Sequence, residues 1–176
     1  ELAERNVDTG KELSFLGAGI YDHYVPAVVD AVLSRGEFLT AYTPYQPEMS
    51  QGVLQAFFEY QTAICELTAM DVSNASGYDG ATVAADACFM ARAHTGRSRI
   101  VLAETLHPIV RQVVKTYAPG FGMEVVEVPH EGGTTDPERF GEASRDAAIA
   151  IFQQPHASGC LEPAPDPSAA PARRGA

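Results

Sequence analysis

Arg99-Ile-Val-Leu-Ala103 is the stretch that decides the fold, because an apolar run of this length predicts a strand buried on both faces of a sheet. Two further strands are predicted over residues 123–128 and 147–152, and helices over 80–94, 108–117 and 136–144 precede or separate them. Strands that alternate with helices of about ten residues predict right-handed crossovers and a mostly parallel sheet covered on both faces. The expected fold class is therefore α/β.

Ligands of such sheets gather at the carboxyl ends of the strands, and this rule selects residues 76–82, 104–107 and 153–156. The first of these segments runs into a predicted helix N-terminus, where free backbone N–H groups and the helix dipole favour an anion such as phosphate. It matches neither the dinucleotide fingerprint nor the P-loop, which disfavours a dinucleotide or a nucleoside triphosphate. Alternatively, its glycines form a tight turn and Asp79 caps the helix.

Two residue types bear on the kind of cofactor. His107 follows a predicted strand, where an imidazole could stack on an aromatic ring or exchange protons near neutral pH, although it could equally be a satisfied loop residue. Lys11 and Lys115 are the only lysines, and neither follows a predicted strand. No lysine is therefore placed to form a Schiff base with a carbonyl cofactor.

Upstream lies a proline-braced loop, Tyr42-Thr-Pro-Tyr-Gln-Pro-Glu-Met-Ser-Gln-Gly52. Each proline favours extended geometry at the residue before it, so the loop is expected to be stiff. A polyproline-like repeat would place Tyr42, Tyr45 and Glu48 along one edge. The alternative is a Pro-rich connector with incidental tyrosines.

The residues around this loop are predicted to be helical. Residues 50–70 form an amphipathic pattern whose face is expected to be buried, with Ser50 as a possible cap. A helix over 21–35 would end at Gly36, and residues 1–6 also read as helix. Gly17 and Gly19 favour a loop with positive φ. The apolar stripe of the long helix comprises Val53, Phe57, Tyr60, Ile64 and Leu67, widened by Leu54 and Phe58.

Composition excludes several classes of function. A formal net charge of -11 argues against nucleic acid or an anionic membrane as the main partner, because phosphate binding needs clustered Lys and Arg. The chain has no signal-peptide pattern and no apolar run that could span a bilayer, so a cytoplasmic location is expected. Cys65 and Cys88 are expected to be reduced and buried, Cys160 could be exposed, and the histidines lack metal-ligand spacing.

Several longer motifs carry a resemblance to a known family. They are Ser14-Phe-Leu-Gly-Ala-Gly-Ile-Tyr-Asp-His-Tyr-Val-Pro26, Thr40-Ala-Tyr-Thr-Pro-Tyr-Gln-Pro-Glu-Met-Ser-Gln-Gly52, Phe58-Glu-Tyr-Gln-Thr62, Asn74-Ala-Ser-Gly-Tyr-Asp-Gly-Ala-Thr82, and Gln153-Gln-Pro155 with Gly159-Cys-Leu-Glu162. Together they closely resemble the P-protein of the glycine cleavage system, glycine dehydrogenase (decarboxylating), and within it subunit 1 of the two-chain bacterial form. The resemblance extends to Pro165.

The resemblance implies a fold type I pyridoxal-phosphate-dependent transferase-like architecture, with a partial parallel-sheet large domain preceded by N-terminal helices. In this family glycine loses its carboxylate as CO2, and its aminomethyl group passes to the lipoyl group of the H-protein. In the two-chain form the lysine that binds pyridoxal phosphate belongs to subunit 2, which agrees with the lysine pattern here.

The resemblance also implies roles for particular residues. The stiff loop would line substrate or cofactor in a shared active site, through Tyr42, Thr43, Tyr45, Gln46 and Glu48. The phosphate-cradle position would be Ser76, Gly80 and Thr82, and the ring-stacking position would be His107. In a subunit without the lysine, these cradle and stacking residues could be remnants of such a site.

The expected organisation is a helical arm over residues 1–70, the start of the large domain over 71–162 and a Pro-rich tail over 163–176. Pro155-His-Ala-Ser158 departs from the family, in which an Asn and aromatic residues are more usual. The main hypothesis is an N-terminal piece of the lysine-free subunit, inactive on glycine alone. The alternatives are a fragment of a self-sufficient pyridoxal-phosphate decarboxylase and a non-catalytic scaffold subunit.

Overall fold

The structure is a computed structural model that describes residues 2–39 and 44–162, and these residues divide into two units. One unit runs from residue 22 to residue 77, and the other combines residues 2–21 with residues 78–162. The expected division at residue 70 stays a prediction, and the expected Pro-rich tail lies outside the described residues.

The elements follow the predicted alternation from residue 80 onward, with shifts of one or two residues at some ends. The helices are α1 Ala27–Leu33, α2 Gly36–Leu39, α3 Gln51–Thr68, α4 Gly80–Thr95, α5 Pro108–Tyr117 and α6 Pro137–Ser144. The strands are β1 Arg99–Ala103, β2 Glu124–Val128, β3 His130–Glu131, β4 Thr134–Thr135 and β5 Ile149–Ile151. Short 3₁₀ helices span Ala3–Arg5 and Ala118–Phe121.

β1 is the central strand of a three-stranded parallel sheet with the order β2-β1-β5. Its side chains alternate between the two faces, so Ile100 and Leu102 enter one apolar cluster while Val101 and Ala103 enter the other. Residues from α4 and α5 complete the first cluster, and Phe140 of α6 completes the second. The predicted α/β fold with a parallel sheet covered on both faces is confirmed.

A short hairpin, β3 with β4, was not predicted from the sequence. His130 pairs with Thr135 and Glu131 with Thr134. Gly132 and Gly133, the two residues between the strands, both have positive φ, as two-residue hairpin turns require. The Gly-Gly dipeptide is the signal that could have identified the hairpin.

The smaller unit differs from the sequence prediction at several ends. The helix expected over 21–35 is α1, which begins after Pro26 because proline lacks the N–H that an interior helical residue donates. Ser34, rather than Gly36, is the C-cap of α1, and Gly36 begins α2. At the other end of the chain, the predicted helix over 1–6 is reduced to one 3₁₀ turn, whereas Gly17 and Gly19 have the expected positive φ.

The long helix α3 is present, but the prediction that its apolar face is buried is wrong. None of its residues is buried, and Leu67 is 82% exposed. Its unit supplies only α1 and α2 as further helices, and none of its described residues is buried. A stripe along 18 residues needs a partner surface of similar length. Ser50 is the N-cap residue, although its side chain makes no capping hydrogen bond.

The cysteines occupy three environments. Cys88 is buried in the first apolar cluster, and this burial raises the pKa of its thiol to about 11. Cys160 is exposed as expected, while Cys65 is half-buried rather than buried.

Within residues 2–39 and 44–162, no helix is both long and apolar enough to cross a bilayer.

Candidate functional site

Two of the three predicted ligand segments meet at one edge of the sheet. β1 and β5 are neighbouring parallel strands, so residues 104–107 and 153–156 both follow carboxyl ends at that edge. The side-chain oxygen Oε1 of Gln153 accepts the backbone N–H of His107 at 3.0 Å. The N–H of Ala157 donates to the carbonyl of Thr105 at 3.3 Å. The two loops therefore hold each other through direct hydrogen bonds.

His107 caps α5 with its own ring. Its Nδ1 accepts the N–H of Ile109 at 3.2 Å. An accepting Nδ1 carries no proton, so in the neutral ring the proton lies on Nε2. The ring is half-buried, and its Nε2–H is the group that could reach a ligand. The capping contact is observed, and the ring-stacking role stays a prediction.

A buried carboxylate, Glu162, joins three segments at this edge of the sheet by hydrogen bonds. Both threonine hydroxyls, from Thr105 after β1 and from Thr135 on β4, hydrogen-bond its Oε1, the second at 2.9 Å. The N–H of Thr135 donates to its Oε2 at 2.8 Å, and the two hydroxyl oxygens lie 3.0 Å apart. Glu162 is 5% exposed. One side chain thus connects three segments that are distant in sequence.

The charge state of Glu162 follows from two opposed effects. Burial raises the pKa of its carboxyl, but hydrogen bonds from Thr105 and Thr135 lower it by more. The pKa of Glu162 therefore lies below its ordinary value, and the side chain is ionised at neutral pH.

His156 is a further buried polar residue of this edge, with 2% exposure. Its Nδ1 lies 3.2 Å from the N–H of Ser158, which donates to it, and 3.0 Å from the Ser158 hydroxyl. The accepting Nδ1 places the ring proton on Nε2. That Nε2 is buried without a hydrogen-bond partner. The loop is closed further by the N–H of His156, which donates to the carbonyl of Cys160 at 3.0 Å.

The N-terminus of α4 is closed by a carboxylate. Asp79 Oδ1 accepts the N–H of Thr82 at 2.7 Å, and Thr82 Oγ1 accepts the N–H of Asp79 at 3.2 Å. The N–H of Thr82, and its hydroxyl, which donates to Oδ1 at 2.9 Å, lower the pKa of Asp79, so an ionised carboxylate of the chain itself caps this helix N-terminus. The capping alternative is confirmed for Asp79. Gly80 begins α4, and Ser76 belongs to the smaller unit. The cradle role of Ser76, Gly80 and Thr82 stays a prediction.

The loop before α3 is described only from Pro44 onward, so the predicted residues Tyr42 and Thr43 lie outside the described residues. Tyr45, Gln46 and Glu48 are exposed, and their predicted role in catalysis is not tested by the geometry of the chain alone.

The predicted polyproline-like geometry is wrong over residues 46–50. The N–H of Met49 donates to the carbonyl of Gln46 at 3.0 Å, and the N–H of Ser50 donates to that of Pro47 at 3.2 Å. Polyproline helices have no such internal hydrogen bonds. Pro47 occupies the second position of the turn over 46–49, where its preset φ is favourable.

Both lysines are held by carboxylates. Lys11 Nζ lies 3.4 Å from Asp8 Oδ2, and Lys115 Nζ lies 2.6 Å from Glu127 Oε2. Burial raises the pKa of Glu127, but hydrogen bonds from Lys115 and Arg111 lower it by more, so an anion faces the Lys115 ammonium. Neither lysine follows the carboxyl end of a strand in the sequence. In the part of the chain that the structure describes, no group of three or more His, Cys, Asp and Glu residues could hold a metal ion.

The sequence did not identify Thr105, Thr135 and Glu162 as a cluster. Glu162 lies 57 residues from Thr105 and 27 residues from Thr135, so no local spacing links them. Thr105 did fall within the segment 104–107, which the position of β1 selected. Only the sheet order and the unpredicted hairpin bring the three side chains together.

Known proteins resemble the chain over most of its length. The sequence model of the glycine cleavage system P-protein family matches residues 1–170. A probable glycine dehydrogenase (decarboxylating) subunit 1 from Geobacillus sp. is 55% identical over 94% of this chain and 37% of its own length. The protein of the same name from Bacillus licheniformis is 56% identical over the same shares.

A solved structure is similar as well. A crystal structure of the glycine decarboxylase (P-protein) of the glycine cleavage system, in inhibitor-bound form, aligns with a TM-score of 0.82 and 46% identity. The alignment covers 92% of this chain and 36% of that one. The chain thus spans a little over a third of the length of these relatives.

Proposed function

We propose that this chain, which belongs to the glycine cleavage system P-protein family, is part of the lysine-free subunit of a two-chain glycine dehydrogenase (decarboxylating). In that enzyme glycine is decarboxylated and its aminomethyl group is transferred to the lipoyl group of the H-protein. The chain's own partners are then subunit 2 and the H-protein, and glycine is the substrate. A cytoplasmic location remains part of this proposal.

The observation that carries the proposal is that both lysines of this chain, a member of this family, are ion-paired and lie away from the strand ends. Pyridoxal phosphate, when bound through a lysine, supplies the electron sink for decarboxylation of an amino acid. Lys11 and Lys115 are both ion-paired and lie outside the carboxyl ends of the strands. Asp79 fills the helix N-terminus that a phosphate would need. The residues that the structure describes therefore do not fit a covalent cofactor site.

We infer that the chain instead contributes side chains to a site whose lysine lies on subunit 2. The candidates are the loop residues Tyr42, Thr43, Tyr45, Gln46 and Glu48, which would bind and orient the substrate. Phenol, amide and carboxylate groups can donate and accept the hydrogen bonds that fix a small zwitterion. Ser76, Gly80, Thr82 and His107 would then be remnants of a cofactor cradle, which the capping roles of Asp79 and His107 support.

Borohydride reduction tests the proposal. The full-length subunit is incubated with pyridoxal phosphate alone and with its lysine-bearing partner, reduced, and examined by peptide mass spectrometry. The expected result is an adduct on the partner and none on this chain, with glycine decarboxylation only in the mixture. A reduced adduct at Lys11 or Lys115 would contradict the proposal and favour a self-sufficient site.

Substitutions in the loop separate a catalytic contribution from a scaffold role. In the assembled enzyme, Tyr45→Phe and Gln46→Ala are expected to lower kcat/KM by about tenfold or more, because small errors in substrate position are costly to rate. Assembly, measured by analytical ultracentrifugation, is expected to stay intact. Loss of assembly at unchanged specific activity of the residual complex would instead favour a scaffold.

A further inference from the structure

The amino-terminal edge of the parallel sheet collects basic residues. α4 leads into β1 and α6 leads toward β5, so the ends of both helices lie at the edge where the strands begin. The basic residues at this edge are Arg92 and His94 in the last turn of α4, Arg97 in the following turn, Arg99 at the start of β1, and Arg145 at the C-cap of α6. It is the edge opposite to the one that carries His107 and Glu162.

Hydrogen bonds to the backbone hold Arg97 in place. Arg97 Nη1 donates to the carbonyls of Arg145 at 3.4 Å and Ala147 at 3.1 Å, which places the loop before β5 beside the turn before β1. The guanidinium of Arg92 lies 3.6 Å from the point at which a Cβ on Gly122 would stand, just before β2. Arg99 and Arg145 are exposed. Arg97 therefore lies beside the backbone of Arg145, and Arg92 lies beside Gly122, both at the edge where the strands begin.

These four arginines have no carboxylate partner in the described residues. Ion pairs within the 4.0 Å limit engage Lys11, Arg35, Arg111, Lys115 and Arg139, but none of the arginines at this edge. Glu124 stands opposite Arg99 in the register of β1 and β2 without an ion pair, and Asp146 follows Arg145 in the sequence. The edge is locally positive in a chain whose net charge is -11.

An unpaired group of arginines has a defined binding preference. Guanidinium groups bind carboxylates through paired, charge-assisted hydrogen bonds, and they lose less hydration than ammonium groups do. At physiological ionic strength, charges more than about 8 Å apart are largely screened, so the acidic remainder of the chain does not cancel the local attraction. The short span and the interspersed Glu124 and Asp146 suit separate carboxylates better than a continuous phosphate backbone.

We propose that Arg92, Arg97, Arg99 and Arg145 form a docking surface for a carboxylate-rich segment of a partner protein. Docking there leaves the carboxyl edge of the sheet open. The proposal is independent of the proposed function, because it uses no residue assigned to glycine, cofactor or lipoyl chemistry.

A peptide-binding experiment on the full-length chain tests this surface. A fluorescent oligoglutamate peptide is titrated by anisotropy at low and at physiological salt, beside an oligoglutamine peptide and an oligothymidine of equal length. Oligoglutamate is expected to bind with the highest affinity and oligothymidine more weakly, and oligoglutamine is expected to show no measurable binding. Affinity for oligoglutamate is expected to fall as salt rises.

Two double variants with the same change in net charge provide the matched control. Arg99→Gln with Arg145→Gln is expected to weaken oligoglutamate binding by about fivefold or more, since each removes one charge-assisted contact. Arg35→Gln with Arg139→Gln removes two cations that are already ion-paired elsewhere, and binding is expected to stay within about twofold. Equal losses in both variants, no binding by the wild type, or tighter binding of oligothymidine would each overturn the proposal.

Discussion

Glu162 is buried and charged, and its hydrogen bonds explain how this is possible. Two hydroxyls and one backbone N–H solvate the carboxylate in place of water. A buried carboxylate without hydrogen bonds would be strongly unfavourable. Removal of Glu162 lowers the stability because its hydrogen-bond donors are left buried without an acceptor. Through these hydrogen bonds Glu162 stabilises the carboxyl edge of the sheet.

The first prediction concerns the removal of the Glu162 side chain. Glu162→Ala is expected to lower the free energy of unfolding by about 3 kcal/mol, because the Thr135 N–H and two threonine hydroxyls lose their acceptor inside the protein. Glu142→Ala, at an exposed position of α6, is the control and is expected to change it by less than about 0.5 kcal/mol. Urea denaturation measures both. Equal effects would contradict the role given to Glu162.

The second prediction concerns pH. The pKa of Glu162 is lower in the folded chain than its ordinary value of 4.5, so the unfolded state binds more protons in this range. The stabilisation is fully present above the unfolded pKa and is lost as pH falls through the folded pKa. We expect the stability difference between wild type and Glu162→Gln to shrink below pH 4.5. A difference that stays constant down to about pH 3 would contradict this assignment.

Among the elements, β1 and α3 show what a pattern of apolar residues can and cannot predict. β1 is short, but its apolar residues on both faces require cover on both sides, and the sheet with its helices supplies it. α3 has a clear stripe at helical spacing, and the helix forms as predicted. Burial of that stripe depends on a partner surface, which a pattern in one segment cannot specify.

The third prediction compares these two elements. Leu102→Ala in β1 is expected to cost about 3 kcal/mol of unfolding free energy, because Leu102 is fully buried between packed helices. Leu67→Ala in α3 removes the same atoms from a side chain that is 82% exposed, and is expected to cost less than about 0.5 kcal/mol in the isolated chain. Thermal and urea unfolding measure the difference. A comparable loss at Leu67 would mean that α3 is buried in solution.

At the scale of the whole molecule, the two units differ in how much core they contain. The larger unit holds both apolar clusters, and the smaller unit, over residues 22–39 and 44–77, has no buried side chain. Backbone amides open more readily where few apolar side chains are packed over them. The smaller unit therefore has the lower local stability.

The fourth prediction follows from this difference. In native-state hydrogen exchange of the isolated chain, amides of β1 are expected to be protected to near the global unfolding free energy, whereas those of α3 exchange through local opening at least about tenfold faster. Mass spectrometry of peptides from the two units measures the contrast. Equal protection in the isolated chain would contradict the division.

Most local elements and the type of sheet follow from the sequence alone. Strand periodicity, proline at the start of α5 and an acidic cap before α4 are short-range effects, so residues 80–151 could be predicted closely, apart from the hairpin of β3 and β4. The motifs alone also identify the family. The positions of the two lysines predict that the Schiff base with the cofactor forms elsewhere, since that chemistry needs a specific amine, and this stays a prediction.

Contacts between groups that are far apart in sequence depend on the three-dimensional fold. Glu162, Thr105 and Thr135 lie in three segments whose contact depends on the β2-β1-β5 order and on a hairpin made by two glycines. The exposure of α3 and the gathering of four arginines at the opposite edge depend in the same way on where elements lie in space. Hydrogen bonds and burial act over a few ångströms, so residues far apart in sequence interact only after the chain has folded.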